Sequence, residues 1–171
     1  MRLHVHTYGD PDGAPVVCLH GLSGHGPRYR RLAERLPGRH VVAPDLRGHG
    51  ESGAEPPWTR ETHVADLLET LDALEVGPAA WVGYSFGGLI ASAVAEAAPD
   101  RVRRLALLEP ALQLRPAVCL EYAEGELEDI SYASEAEAVA AMPAAGMTVQ
   151  APREMLEEEA RLNMVRGADG R

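Results

Sequence analysis

Residues 79–89 read AAWVGYSFGGL. Ala80, Trp81 and Val82 favour a strand, Gly83-Tyr84-Ser85-Phe86-Gly87 follows as a G-x-S-x-G pattern, and Leu89, Ile90, Ala91, Ala93 and Val94 continue as a helix. Strand, sharp turn and helix therefore meet with Ser85 at the apex. A reactive serine on so tight a turn sits in strained backbone, and neighbours without a Cβ are needed where strand and helix crowd together. An ordinary Gly-rich turn is the competing reading; the strand before it and the helix after it favour a serine whose hydroxyl stands above a sheet.

Upstream, Leu3 to Tyr8 alternates, with Leu3 and Val5 on one face and His4 and His6 on the other, before the turn Gly9-Asp10-Pro11-Asp12-Gly13. It reads as an edge hairpin strand. His4 and His6 offer two imidazoles on one face, but no third metal ligand lies nearby in the sequence, so they read as solvent-facing. Ala14 to Leu19 is a continuous apolar run, as expected of a strand buried on both faces, and it ends in His20-Gly21-Leu22-Ser23-Gly24-His25-Gly26. Tyr29, Leu32, Ala33 and Leu36 mark one helix face that stops at Pro37-Gly38.

A second buried strand, His40 to Pro44, runs into Asp45-Leu46-Arg47-Gly48-His49-Gly50-Glu51-Ser52-Gly53. Thr62 to Leu74 has helical spacing, and Val102 to Leu108 forms another apolar strand closed by Glu109-Pro110. Alternating strands and helices call for a doubly wound, mostly parallel α/β sheet, whose sites lie beyond the strand C-terminal ends. From Ala111 the chain turns acidic, Ala-rich and helical, with a capping box at Ser134 and Glu137 and an amphipathic stretch from Glu154 to Met164. The organisation read here is a core over 1–110 and a helical segment over 111–171.

A formal net charge of −10 argues against a nucleic-acid partner or an anionic membrane surface, both of which need clustered Lys and Arg. Much of the acidity is local, in Glu121 to Asp129 and Glu154 to Glu159, and reads as solvated helical faces. Cys18 and Cys119 do not make a disulfide framework, and neither an apolar leader nor a membrane-length run occurs. A cytoplasmic location is expected.

Three motifs stand in one order: His20-Gly21 after a buried strand, Asp45 to Ser52, and Gly83 to Gly88. Together they resemble the α/β-hydrolase superfamily in its branch of small, lid-bearing serine hydrolases, over about residues 3–110. The resemblance implies Ser85 as nucleophile, with the backbone N–H groups of Phe86 and Leu22 as oxyanion donors, each worth roughly 3 to 4 kcal/mol of barrier. Gly21, Leu22, His25 and Tyr84 are the candidates for substrate contact; for His25 the competing reading is an exposed loop residue. The loop from Asp45 to Gly53 reads as structural. No cofactor or metal is implied, and the partner is a small acyl substrate: an ester, thioester, lactone or amide. Carbon–carbon bond hydrolysis and perhydrolase chemistry use similar serine sites, whereas relatives with an Asp nucleophile are disfavoured.

The chain departs from that family in one respect. All seven histidines (4, 6, 20, 25, 40, 49, 63) precede Ser85, whereas the triad order in this fold is Ser, acid, His. Glu109, closing the strand after Ser85, is a candidate acid; alternatively the acid-Pro pair only shapes the chain's exit. The sheet is thus expected to be incomplete at its C-terminal side. The histidine and further strands are expected on a C-terminal fragment or second chain, the 171 residues alone being inactive. A non-catalytic ligand-binding protein of the same fold is the alternative.

Overall fold

In the computed structural model, which describes residues 1–113, 117, 131–142 and 151–163, the alternating stretch and the apolar runs become five strands: β1 (Val5–Gly9), β2 (Ala14–Leu19), β3 (Arg39–Pro44), β4 (Ala79–Tyr84) and β5 (Val102–Leu108). They form one sheet in the order β1-β3-β2-β4-β5. The pairs β2/β3, β2/β4 and β4/β5 are parallel, and β1 alone runs antiparallel, against β3. The expected hairpin between β1 and the next strand is therefore not made, although β1 is an edge strand. Both sides of β2 are taken by parallel neighbours, which bury its continuous apolar run, and β1 is left with β3.

Side chains alternate across the central strands as the pleat requires. Val17, Leu19, Val42 and Trp81 pack with Leu67 and Leu71 of α2 (Arg60–Ala73) and with Ile90, Ala91 and Val94 of α3 (Phe86–Ala97). Val16, Cys18, Val41 and Ala43 face the other way, onto Tyr29 and Ala33. Burial pushes the Cys18 thiol up to about 12, so it stays a protonated apolar filler. The helix expected from Tyr29 to Leu36 is shorter: a 3-10 turn, Gly26–Tyr29, leads into a single α turn, α1 (Arg30–Ala33). Thr59 caps α2, its hydroxyl accepting from Thr62 N at 3.2 Å.

The loop after β3 is built around Asp45, which is 1% exposed. Its carboxylate accepts from Gly26 N at 2.7 Å, Glu51 N at 3.0 Å and His6 Nε2 at 3.2 Å. Burial opposes ionisation, but these three donors hold the carboxyl below the usual carboxylate range. Gly50 (φ 52°) passes so close that a Cβ there would lie 2.3 Å from Asp45 Cγ. Arg47 ties the loop to the helix beside it: its guanidinium forks onto Asp66 of α2 at 2.7 and 2.8 Å.

Contacts divide the chain into the units Met1–Gln113 and Leu114–Arg171. In the second, α4 (Glu135–Ala141) begins at the capping pair: Ser134 Oγ accepts from Glu137 N at 3.2 Å, and the Glu137 carboxylate accepts from Ala133 N at 2.7 Å. Val139 packs with Leu156 and Ala160 of α5 (Arg153–Asn163). Cys119, the acidic run Glu121 to Asp129, and Met164 onward lie outside the described residues. Among the described residues no helix is long and apolar enough to cross a membrane.

Candidate active site

Ser85 joins β4 to α3 with φ 50° and ψ −115°, backbone space that residues with a Cβ rarely occupy. Hydrogen bonds on both sides hold it there. Its N–H donates to Leu108 O at 3.0 Å, and its carbonyl accepts from Gly88 N, Leu89 N and Ala111 N at 2.9, 3.2 and 3.1 Å. The end of β5 and the first turn of α3 thus fix one residue between them.

The glycines show how closely the surrounding backbones approach. A Cβ on Gly83 would stand 2.6 Å from Gly87 O, and one on Gly87 would stand 2.3 Å from Leu19 O and 2.5 Å from His20 O. Neither site has room for a methyl group, so the first turn of α3 lies directly on the end of β2. A Cβ on Gly21 would lie 3.1 Å from the Tyr84 ring and 3.4 Å from Ser85 Cβ. The His20-Gly21 loop therefore runs beside the serine. Phe86 is the first residue of α3, so its amide has no acceptor within the helix and sits at the positive end of the helix dipole. Leu22 is 42% exposed in the adjoining loop.

Two imidazoles near Ser85, those of His20 and His49, are hydrogen-bonded to the surrounding loops. His20 is 1% exposed, Leu46 N donates to its Nε2 at 3.0 Å, and its Nδ1 faces Gly21 O at 2.8 Å. That pairing requires the neutral Nδ1–H tautomer. Burial pushes its pKa down to about 3, against the raising effect of the Gly21 carbonyl. His20 is a pin holding the Gly21 turn to the start of the 45–53 loop, and it has no lone pair left to take a proton. His49 Nδ1 lies 3.0 Å from Arg47 O, and its Nε2 contacts the Leu22 carbonyl, so this side chain ties the same two loops together. The Phe86 ring lies against His49, stacked at 6.4 Å, and His63, edge-on at 5.2 Å. His63 is buried and its pKa is lowered, first by burial. Among the described residues no imidazole is hydrogen-bonded to Ser85 Oγ.

A cavity of about 210 Å³ is lined by His20, Gly21, Arg28, Tyr29, Tyr84 and Leu108. Gly21 and Tyr84, two of the residues expected to contact substrate, are among them. His25 is not: at 4% exposed it is buried, which overturns the exposed-loop reading, and it does not line this cavity. Arg28, Tyr29 and Leu108 were missed. Tyr29 had been read as the start of a helix face; its hydroxyl instead donates to Leu19 O at 2.6 Å, and burial pushes its pKa up. The available signal was proximity, since Arg28 and Tyr29 lie just beyond the Gly-rich loop.

Glu109 is exposed and has φ 46°. It stands between Leu108, whose carbonyl accepts from Ser85, and Ala111, whose amide donates to Ser85. Its backbone makes the turn out of β5, and its carboxylate is carried on the segment that supports the serine.

A serine held in strained backbone between a parallel strand and a helix, beside a His-Gly loop, defines a chain of the α/β-hydrolase class. The family described as alpha/beta hydrolase fold matches residues 14–135, and the chain belongs to that family. It is 41% identical over 138 residues to Lipase LipV of Mycobacterium tuberculosis, a match covering 81% of this chain and 53% of the lipase. It is 46% identical over 111 residues to the pimeloyl-[acyl-carrier protein] methyl ester esterase of Chromobacterium violaceum, covering 63% of this chain and 41% of that protein. The thioesterase domain from the curacin biosynthetic pathway superposes with a TM-score of 0.81 at 26% identity, covering 97% of this chain and 65% of that domain. The chain therefore spans from about two fifths to two thirds of the length of these relatives.

Proposed function

We propose that Ser85 is the nucleophile of a serine hydrolase that cleaves an ester, thioester or lactone through an acyl-enzyme. Ser85 Oγ attacks the acyl carbonyl while its proton passes to a base. The carbonyl oxygen, now negative, is held by the Phe86 and Leu22 amides, and the alcohol or thiol departs with a proton. Water then attacks the acyl-Ser85 ester by the same steps, releasing the acid. The observation that carries this reading is the Ser85 backbone at φ 50° with the Gly21 turn packed beside it. The lipase, esterase and thioesterase among the relatives support an acyl substrate.

The base belongs, in this proposal, to a histidine outside residues 1–171, on a further segment or a second chain. Residues 86–171 contain none, and both ring nitrogens of His20 are committed. The edge of the sheet supports the same assignment: β5 pairs only with β4 among the described strands, and Leu105 and Leu108 are 37% and 51% exposed. An exposed apolar edge of this kind is a template for pairing and is ordinarily blunted or covered.

The same lack of a downstream histidine favours a second reading, a ligand-binding protein without catalysis. A serine-directed fluorophosphonate separates the two. In the protein completed by the histidine-bearing segment, covalent labelling of wild type with loss of labelling in Ser85→Ala supports the hydrolase; equal labelling of both, or none of either, refutes it.

A further inference from the structure

We propose a zinc-type metal site at the β1 edge of the sheet, formed by His4, His6 and Asp45, with Glu51 as a fourth ligand. It is separate from Ser85 and independent of the hydrolase proposal. The sequence offered two imidazoles and no third ligand; the fold supplies one from 39 residues away. Because β1 runs antiparallel to β3, with Val5 opposite Pro44, His4 lies opposite Asp45, whose amide donates to the His4 carbonyl at 2.9 Å. One ring nitrogen from each histidine and one Asp45 oxygen then lie within 4.8 Å of one another.

Two of the spacings match those of a four-coordinate ion, and the exposed Glu51 side chain has to close on the other three ligands. Metal bonds of about 2.0 to 2.1 Å at tetrahedral angles put neighbouring donor atoms about 3.4 Å apart. His6 Nε2 is 3.2 Å from Asp45 Oδ2, and His4 Nε2 is 3.5 Å from Glu51 Oε1. Each of these two pairs therefore already spans one tetrahedral edge. The donor set, two imidazoles and two carboxylates, is one that zinc accepts, with nickel and copper as competitors.

The supporting shell is also in place. Asp45 is oriented by the Gly26 and Glu51 amides, at 2.7 and 3.0 Å, which leave its Oδ2 facing His6. The His4 backbone is held on both sides, its N–H donating to Ser52 Oγ at 2.9 Å and its carbonyl accepting from Asp45 N. Ligands on a strand and a tied loop are positioned before the ion arrives. On binding, His6 gives up its hydrogen bond to Asp45: the ring proton moves through solvent from Nε2 to Nδ1, and the freed Nε2 lone pair takes the metal. The ion would fasten β1 to the 45–53 loop, the loop that His49 links to Leu22.

The test is direct binding of zinc to the full, tag-free chain, with cobalt substitution to report geometry. One zinc per chain, a rise in thermal midpoint with zinc, and the visible bands of four-coordinate cobalt are expected. His6→Gln can keep a hydrogen bond to Asp45, and His4→Gln removes a side chain that is 39% exposed. Each should stay folded by circular dichroism and lose at least tenfold in zinc affinity, with a smaller loss in Glu51→Gln. No stoichiometric uptake by wild type would overturn the site. Unchanged affinity in a folded His4→Gln, His6→Gln double variant would also overturn it, since the ion then binds elsewhere.

Discussion

If His20 is a neutral pin, it should make the fold acid-sensitive well above the carboxylate range. In the unfolded chain its imidazole takes up a proton near pH 6.5; in the folded protein burial holds that step near pH 3. Between these values the unfolded state binds one more proton than the native state, so stability falls as pH falls. One proton changes the unfolding free energy by about 1.4 kcal/mol per pH unit, so the 1.5 units from 6.5 to 5 cost about 2 kcal/mol. That is a large share of the stability of an ordinary domain. His63, also depressed by burial, pushes the same way, so the comparison has to be made against a variant. His20→Gln keeps an acceptor for the Leu46 amide and has nothing to titrate. Urea unfolding followed by tryptophan fluorescence at pH 7.5, 6.5, 5.5 and 5.0 should show wild type losing about 2 kcal/mol more than the variant over that range. Parallel curves would mean that His20 titrates normally in the folded protein. The argument that excludes it as the base would then fail.

Gly87→Ala should destabilise by roughly 1 to 3 kcal/mol in the same unfolding assay, because the new methyl has only the Leu19 and His20 carbonyls to meet, at 2.3 and 2.5 Å. It should also slow fluorophosphonate labelling of Ser85; wild-type stability and labelling together would show that the α3 turn does not rest on β2. Glu109→Gln, made in the protein completed by the histidine-bearing segment, separates two roles: as the triad acid its loss should lower kcat by orders of magnitude with the fold intact, whereas a fall of less than about tenfold returns Glu109 to a turn residue.

What the sequence made legible is what short-range pattern can encode. β1 follows from its alternation and the other four strands and the α3 turn from apolar runs with turn residues at their ends, and β5 begins and ends as read, at Val102 and Leu108. The Ser85 turn was readable because strain there needs small neighbours within a few residues, and Gly83 and Gly87 are those neighbours. The positive φ at Glu109 has no such signature: no glycine stands there, and the turn is held from outside by Leu108 and Ala111 bonding to Ser85. Charge state lies equally beyond pattern. Seven histidines look alike in sequence, yet His20 is fixed neutral by Leu46 N from 26 residues away, while His6 meets Asp45 across 39. Which imidazole pins a loop and which faces a carboxylate depends on strand order. The hairpin expectation failed on that same point, since a strand buried on both faces gives up both edges to parallel neighbours and leaves β1 to β3. Had β1 paired with β2, His4 and His6 would have lain far from the end of β3, and the Asp45 carboxylate would have had only backbone amides to face.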